Sequence, residues 1–171
     1  SLDPSAVSGS STASGEPESG VDSESESESA DVFDPAADEA EEKQKYEGYQ
    51  LVDDEIAAEY AKEAKDLMEK EKLYKNPDLT LPGLAKKLKL SANTLSYVLN
   101  GYCGQSFYNF VNSYRLEEVV SMMNDPKWDD KSVLELLLEA GFKSKSTFNP
   151  IFKKWTGKTP SEYRKEIQEK R

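Results

Sequence analysis

Between Gly141 and Lys158 the sequence sets Lys145, Ser146, Thr147, Asn149, Lys153 and Lys154 in the gaps of an apolar repeat made by Phe148, Ile151, Phe152 and Trp155. Apolar residues spaced by three and four share one helical face, so the spacing predicts a helix with that face in a core. The other face offers ammonium, hydroxyl and amide groups. Ammonium groups attract phosphate, and short amides and hydroxyls suit base edges in a major groove. No acidic residue lies between Gly141 and Lys158 to oppose an anionic partner. Catalytic chemistry finds no such assembly. The chain has no histidine, which excludes a Ser-His-Asp triad and a His-based metal site, and no glycine-rich loop of the phosphate-cradling type. An enzyme and a bound cofactor are therefore not expected.

The elements that must position this face are marked by punctuation. Gly141 closes a preceding helix, Ser144 caps the next, and Gly157 ends it before Pro160 opens another over about 160–170. Upstream, Ser132 to Ala140 is a short, mostly apolar helix with a serine cap. Two short helices joined by a tight glycine-containing turn form a helix-turn-helix unit, here over about 132–156. A second candidate unit lies at about 80–101. Leu84, Ala85 and Leu88 would pack on one side of a short helix, and Ser91 would cap another whose Leu95, Val98 and Leu99 point inward. Its outward set is then Ala92, Asn93, Thr94, Ser96, Tyr97 and Asn100. A long helix over about 106–124, with Phe107, Phe110, Val111, Tyr114, Val119, Met122 and Met123 at helical intervals, links the two.

The Ala-Gly-Phe turn, Ser-x-Ser-x-Phe, Phe-Lys-Lys, Gly-x-Thr-Pro and Tyr-Arg, read in order from Ala140 to Arg164, resemble the second helix-turn-helix of the AraC/XylS family of bacterial transcription regulators. The resemblance covers roughly residues 74–165. It implies an all-α fold of two helix-turn-helix units on one linking helix, which bind double-stranded DNA in successive major grooves. Base contacts would fall to Asn93, Thr94, Ser96, Tyr97 and Asn100 in the first unit and to Lys145, Ser146, Thr147 and Asn149 in the second. Phosphate contacts would fall to Lys86, Lys87, Lys143, Lys153, Lys154, Arg115 and Arg164. Arg115 has a second reading, as a structural partner inside the linking helix. The resemblance also implies RNA polymerase and an upstream sensing domain as partners, a cytoplasmic location, and an output piece of a longer regulator, either free or tethered to a membrane. No small-molecule ligand is expected for it. A helical protein-interaction module with an acidic docking tail is the competing class.

Charge divides the 171 residues in two. Residues 1–44 hold thirteen acidic residues against one lysine, whereas residues 45–171 balance 21 basic against 20 acidic. Within the latter, residues 75–171 carry a net charge of plus five, so the whole-chain value of −11 belongs to the tail and does not argue against nucleic acid. Rich in Ser, Glu, Asp, Ala and Gly, residues 1–44 are too poor in large apolar side chains to offset the entropy of ordering, and disorder is expected. Such a tail reads as a solubilising linker, as a mimic of DNA that folds back on the basic helices, or, through its Ser-Glu run from Ser23 to Ser29, as an acidophilic kinase substrate. The single cysteine, Cys103, excludes an internal disulfide.

Three local expectations complete the reading. Asp53 to Tyr74 is expected as one extra helix, with Ile56, Tyr60, Ala64, Leu67 and Met68 as its stripe and Asp53, Asp54 and Glu55 serving the helix dipole. Its stripe would dock on the first unit, or pair with another chain or with an upstream domain. Lys89 stands at a turn position where glycine is frequent in the family, which leaves that turn's geometry open. Pro150, inside the second outward-facing helix, either delays the helix start or bends it, because proline removes one backbone hydrogen bond.

Overall fold

The computed structural model describes residues 52–171; the acidic segment 1–44, with its expected disorder, lies outside them. Seven α-helices and no strand occur among the described residues: α1 (Asp54–Glu71), α2 (Leu81–Lys87), α3 (Ala92–Tyr97), α4 (Phe107–Asn124), α5 (Val133–Glu139), α6 (Lys145–Thr156) and α7 (Pro160–Glu169). The fold is all-α. Short hydroxyl residues start six of the seven. Thr80, Ser91, Ser106, Ser132, Ser144 and Thr159 each accept the backbone N–H three residues on, satisfying a donor the helix itself leaves open. At Ser132 and Thr159 the bond is returned by Glu135 and Glu162, closing capping boxes.

Helix α4 belongs to two cores. Its Phe110 and Val111 join Ala64, Met68, Leu84, Ala85, Leu95 and Leu99 in the core of α1, α2 and α3. Its Leu116, Val119, Met122 and Met123 join Leu136, Leu137, Phe142, Phe148 and Phe152 in the core of α5 and α6. The second core is aromatic, with Phe142, Phe148, Phe152 and Tyr163 in a chain of ring contacts at 5.0, 5.1 and 5.5 Å.

The extra helix is shorter than expected, and turned. It stops at Glu71, where Lys72 takes a left-handed conformation (φ 49°), and a 3₁₀ turn over Leu73–Lys75 follows. Ala57, Ala61, Ala64 and Met68 are its buried residues, while Ile56 is 40% exposed. Three alanines let α1 lie close against its neighbours, which large side chains on the same face would prevent. Docking on the first unit, rather than on another chain, is what its buried face does here.

The turn after α1 is lodged between α4 and the second unit. Arg115 of α4 donates from Nε to the Tyr74 carbonyl at 2.7 Å and from Nη2 to the Asn76 carbonyl at 2.9 Å. Its guanidinium also lies 5.8 Å from the Phe142 ring. Tyr74 Oη donates to Glu118 Oε2 at 3.0 Å, and Lys75 Nζ bridges Glu118 at 2.8 Å and Glu139 of α5 at 3.3 Å. Gly141 presses on the same turn: at φ 101° a Cβ there would stand 2.3 Å from the Tyr74 carbonyl oxygen.

The two interhelical turns use the same left-handed conformation with different residues. Lys89 takes φ 58° where the second unit has Gly141. A side chain in that region costs about 1–2 kcal/mol. Lys89→Gly is therefore expected to leave stability unchanged or raise it by up to about 1 kcal/mol, after the added freedom of the unfolded chain is counted. Gly141→Ala combines a left-handed strain with a backbone clash and is expected to lose about 3 kcal/mol or more. Urea unfolding of both variants checks the pair.

Burial pushes the Glu118 carboxyl up, but hydrogen bonds from Lys75 and Tyr74 and the charges of Lys75 and Lys72 outweigh it and hold the group below its ordinary range. A carboxyl held low in the folded chain contributes stability that is present above its unfolded pKa and lost as the pH falls. Glu118→Gln should thus lower stability at neutral pH and flatten the loss of stability below about pH 4.5, measured by urea unfolding across the acid range.

Candidate nucleic-acid interface

The two units superpose in sequence from their caps. Eleven residues after Ser91 and Ser144 come Tyr102 and Trp155, and two further on come Gly104 and Gly157, both left-handed at φ 69° and 76°. In the first unit Leu84, Ala85 and Leu88 of α2 and its end, with Leu95, Val98 and Leu99 beyond the turn, are buried. Helix α3 then widens. Val98–Tyr102 form a π turn in which the Cys103 N–H reaches back five residues to the Val98 carbonyl, at 3.0 Å.

That local shape narrows the outward face of the first unit. Asn93 is exposed, and Thr94 and Tyr97 are half-buried. Thr94 Oγ1 lies 2.8 Å from the Ser91 hydroxyl. Ser96 and Asn100, expected among the outward residues, are instead 5% and 7% exposed. The Asn100 amide donates to the Ser96 carbonyl at 3.0 Å, so the two close on each other along the helix. The reason is packing on two sides, by α2 and by the alanine face of α1, which reaches Val98 through Ala57 and Ala61. Neither Ser96 nor Asn100 is placed to reach a base edge.

In the second unit Phe148 and Phe152 are fully buried, and Lys145, Ser146, Thr147, Asn149, Lys153 and Lys154 are all exposed. The Ser144 hydroxyl gathers the first turn, accepting from the Thr147 N–H at 3.3 Å and lying 2.9 Å from Ser146 Oγ. Helix α6 begins at Lys145 and runs through Pro150, so the helix start is not delayed. Trp155, expected on the core face, is 50% exposed, as is its counterpart Tyr102. It borders a groove between α6 and α4 that Gln105, Asn109, Asn112 and Lys154 also line. These two exposed aromatics were not read as surface residues from periodicity; the alignment of the units on Ser91 and Ser144 is the signal that pairs them.

The candidate phosphate ligands divide three ways. Lys86, Lys145, Lys153 and Lys154 form none of the ion pairs found among the described residues. Lys87 pairs with Glu71 at 2.9 Å and Lys143 with Asp78 at 2.7 Å, both in the open, where such pairs hold a side chain only weakly. The two arginines are structural. Arg115 is committed to the Tyr74 and Asn76 carbonyls, and Arg164 donates to the carbonyls of Trp128 and Asp129 at 3.1 and 2.8 Å, tying α7 to the turn before α5. Both were expected at phosphates, Arg115 with a structural reading beside it; Arg115 spends two guanidinium nitrogens on carbonyls, whereas Arg164 makes both its bonds from Nη2 alone.

Residues 84–166 match the model of a family described as a helix-turn-helix domain. The chain is 32% identical over 93 residues to the melibiose operon regulatory protein of Escherichia coli K12, over 54% of its own length and 30% of that protein's. It is 36% identical over 92 residues to the transcriptional regulatory protein YesN of Bacillus subtilis, over 53% of its length and 24% of that protein's. Among solved structures it resembles the C-terminal domain of a two-component response regulator, YesN, from Fusobacterium nucleatum, with a TM-score of 0.52 at 28% identity, covering 60% of this chain and 98% of that one. An AraC-type regulator of Chromobacterium violaceum shares the fold, with a TM-score of 0.55 at 22% identity over 64% of this chain and 93% of that one. Residues 84–166 are thus similar to a helix-turn-helix domain, with the fold of an AraC-type DNA-binding domain. The chain spans under a third of the length of these two curated relatives.

Because Arg115 is a fastener, Arg115→Lys should cost about 2 kcal/mol of unfolding free energy, since an ammonium cannot make both bonds of the fork. Urea unfolding measures it; a phosphate ligand on the surface would show a change near zero.

Proposed function

We propose that the two helix-turn-helix units bind duplex DNA in successive major grooves, and that the domain is the output part of a longer transcription regulator. One observation carries this reading: the outward face of α6 is free of carboxylates and presents Lys145, Lys153 and Lys154 beside Ser146, Thr147 and Asn149, all exposed. Phosphate contacts from the lysines would set register, and the short polar side chains would read base edges. RNA polymerase and a sensing domain are the partners such an output domain requires. Among the described residues no helix is long and apolar enough to cross a membrane.

The two units are unequal in charge. Where the second helix carries Lys153 and Lys154, the aligned positions of the first are Asn100 and Gly101. The second unit therefore supplies most of the phosphate attraction, and the first contributes through Asn93, Thr94, Tyr97 and the lysines of α2. A single chain with two different units suits an asymmetric site whose halves lie about 10 base pairs apart.

Selection from a randomised duplex library with the full chain tests the reading. Enrichment of a bipartite motif supports it, and no enrichment even at low salt overturns it. On the selected site, Lys153→Ala is expected to weaken binding to all sequences and to flatten the slope of log affinity against log salt by about one. Asn93→Ala should instead change base preference, by about 1–3 kcal/mol at one position, with the salt slope kept. Competition binding against single-base variants of the site separates the two outcomes.

A further inference from the structure

Pro150 has the one purely apolar side chain on the outward face of α6. Lys145, Ser146, Thr147, Asn149, Lys153 and Lys154 are exposed with it, while Phe148 and Phe152 hold the core side. Pro150 lies two residues from each of those phenylalanines, and at about 100° of turn per residue that places it opposite both. The pyrrolidine ring therefore stands at the centre of the outward face. Trp155, also exposed, borders the groove beside α4 instead. Lys145, Asn149, Pro150 and Lys153 line a cleft with Val133 and Pro160, and no carboxylate is among its lining residues.

Exposed as it is, Pro150 is required by no core. It has no N–H to donate to the Ser146 carbonyl, a loss that a helix interior ordinarily avoids. A local rule broken on an exposed face is expected at a functional site. The ring offers no hydrogen-bonding group, so it reads no pattern of donors and acceptors. Its rigidity means that a contact with it orders no rotatable bond. The base edges of the major groove present one apolar group that suits such a surface, the C5-methyl of thymine. We propose that Pro150 reads the methyl group of a thymine in the half-site of the second unit, an inference that rests on the DNA-binding reading above and names one group it would recognise. Cytosine lacks that methyl, and the purines present polar edges in the same groove. The lysines around the ring engage phosphates to either side, which leaves the ring to meet the base.

The test uses the full chain and its selected duplex, with each thymine replaced in turn by uracil. The replacement removes the methyl and keeps every base pair and every phosphate. Competition binding is expected to show about a fourfold loss of affinity at one thymine, the effect of one methyl left unburied, with the salt slope unchanged. Pro150→Gly should then bind the thymine and uracil duplexes alike at that position, at the lower affinity. Glycine costs a helix interior less than proline does, so this variant is expected to fold. A selected motif without a required thymine, or one bound equally well with every thymine replaced, overturns the inference and leaves the DNA reading intact. If the methyl effect persists in Pro150→Gly, whatever that variant's overall affinity, Pro150 only shapes the helix and the inference falls. Failure to select any site overturns the DNA reading itself, and this inference with it.

Discussion

Arg115 stands in the middle of α4 with a half-buried guanidinium, and burial without a carboxylate partner lowers its pKa. Two backbone carbonyls, of Tyr74 and Asn76, compensate at 2.7 and 2.9 Å. The relation between the two units rests on this fork together with α4, which both cores share. It holds the Leu73–Lys75 turn against α4, and the turn in turn receives Gly141 of the second unit so closely that a methyl group would not fit. Since Lys75 ties the same turn to Glu118 and Glu139, three elements meet at one place: the end of α1, the linking helix and α5. A turn that leads into the first unit is thereby fastened to the second, and α4, shared by both cores, is braced against rotation between them.

Within that frame the units are copies with different surfaces. Each has a hydroxyl cap, a left-handed turn residue, a buried apolar stripe and an exposed aromatic near the end of its second helix. They differ in what is left outside. Close packing of α1 on the π turn that follows α3 narrows the outward face of the first unit to Asn93 and its half-buried neighbours. Among the described residues no helix covers α6 in the same way, and its lysines are exposed. The extra helix that stabilises the first unit thus reduces what that unit can touch.

The fold was largely legible because its signals are local. Ser91, Ser106, Ser132 and Ser144 cap helices wherever a serine precedes an apolar repeat, and Gly157 ends one. Less legible were the residues whose fate depends on tertiary packing. Ser96 and Asn100 are polar and follow the outward spacing of an ideal α-helix, but a π turn and a second packing partner bury them, and neither is written in the periodicity. Arg115 and Arg164 carry the charge that suits phosphate, yet the carbonyls that claim them lie 35 to 41 residues away in the chain. Trp155 fell on the apolar stripe by spacing and lies half in solvent, at the border of the groove between α6 and α4. Lys89 shows the reverse case: a residue that looked foreign to its turn adopts the backbone that glycine would have taken.

If one rigid fork sets the spacing between two unequal reading heads, spacing is what should be tested. The direct measurement is the affinity of the full chain for its selected site with about half a helical turn, roughly 5 base pairs, inserted between the halves. The account requires binding to fall to the level of random duplex, because the second head would then face the wrong side of the DNA. Affinity unchanged by the insertion would mean that the units move independently, and would contradict it.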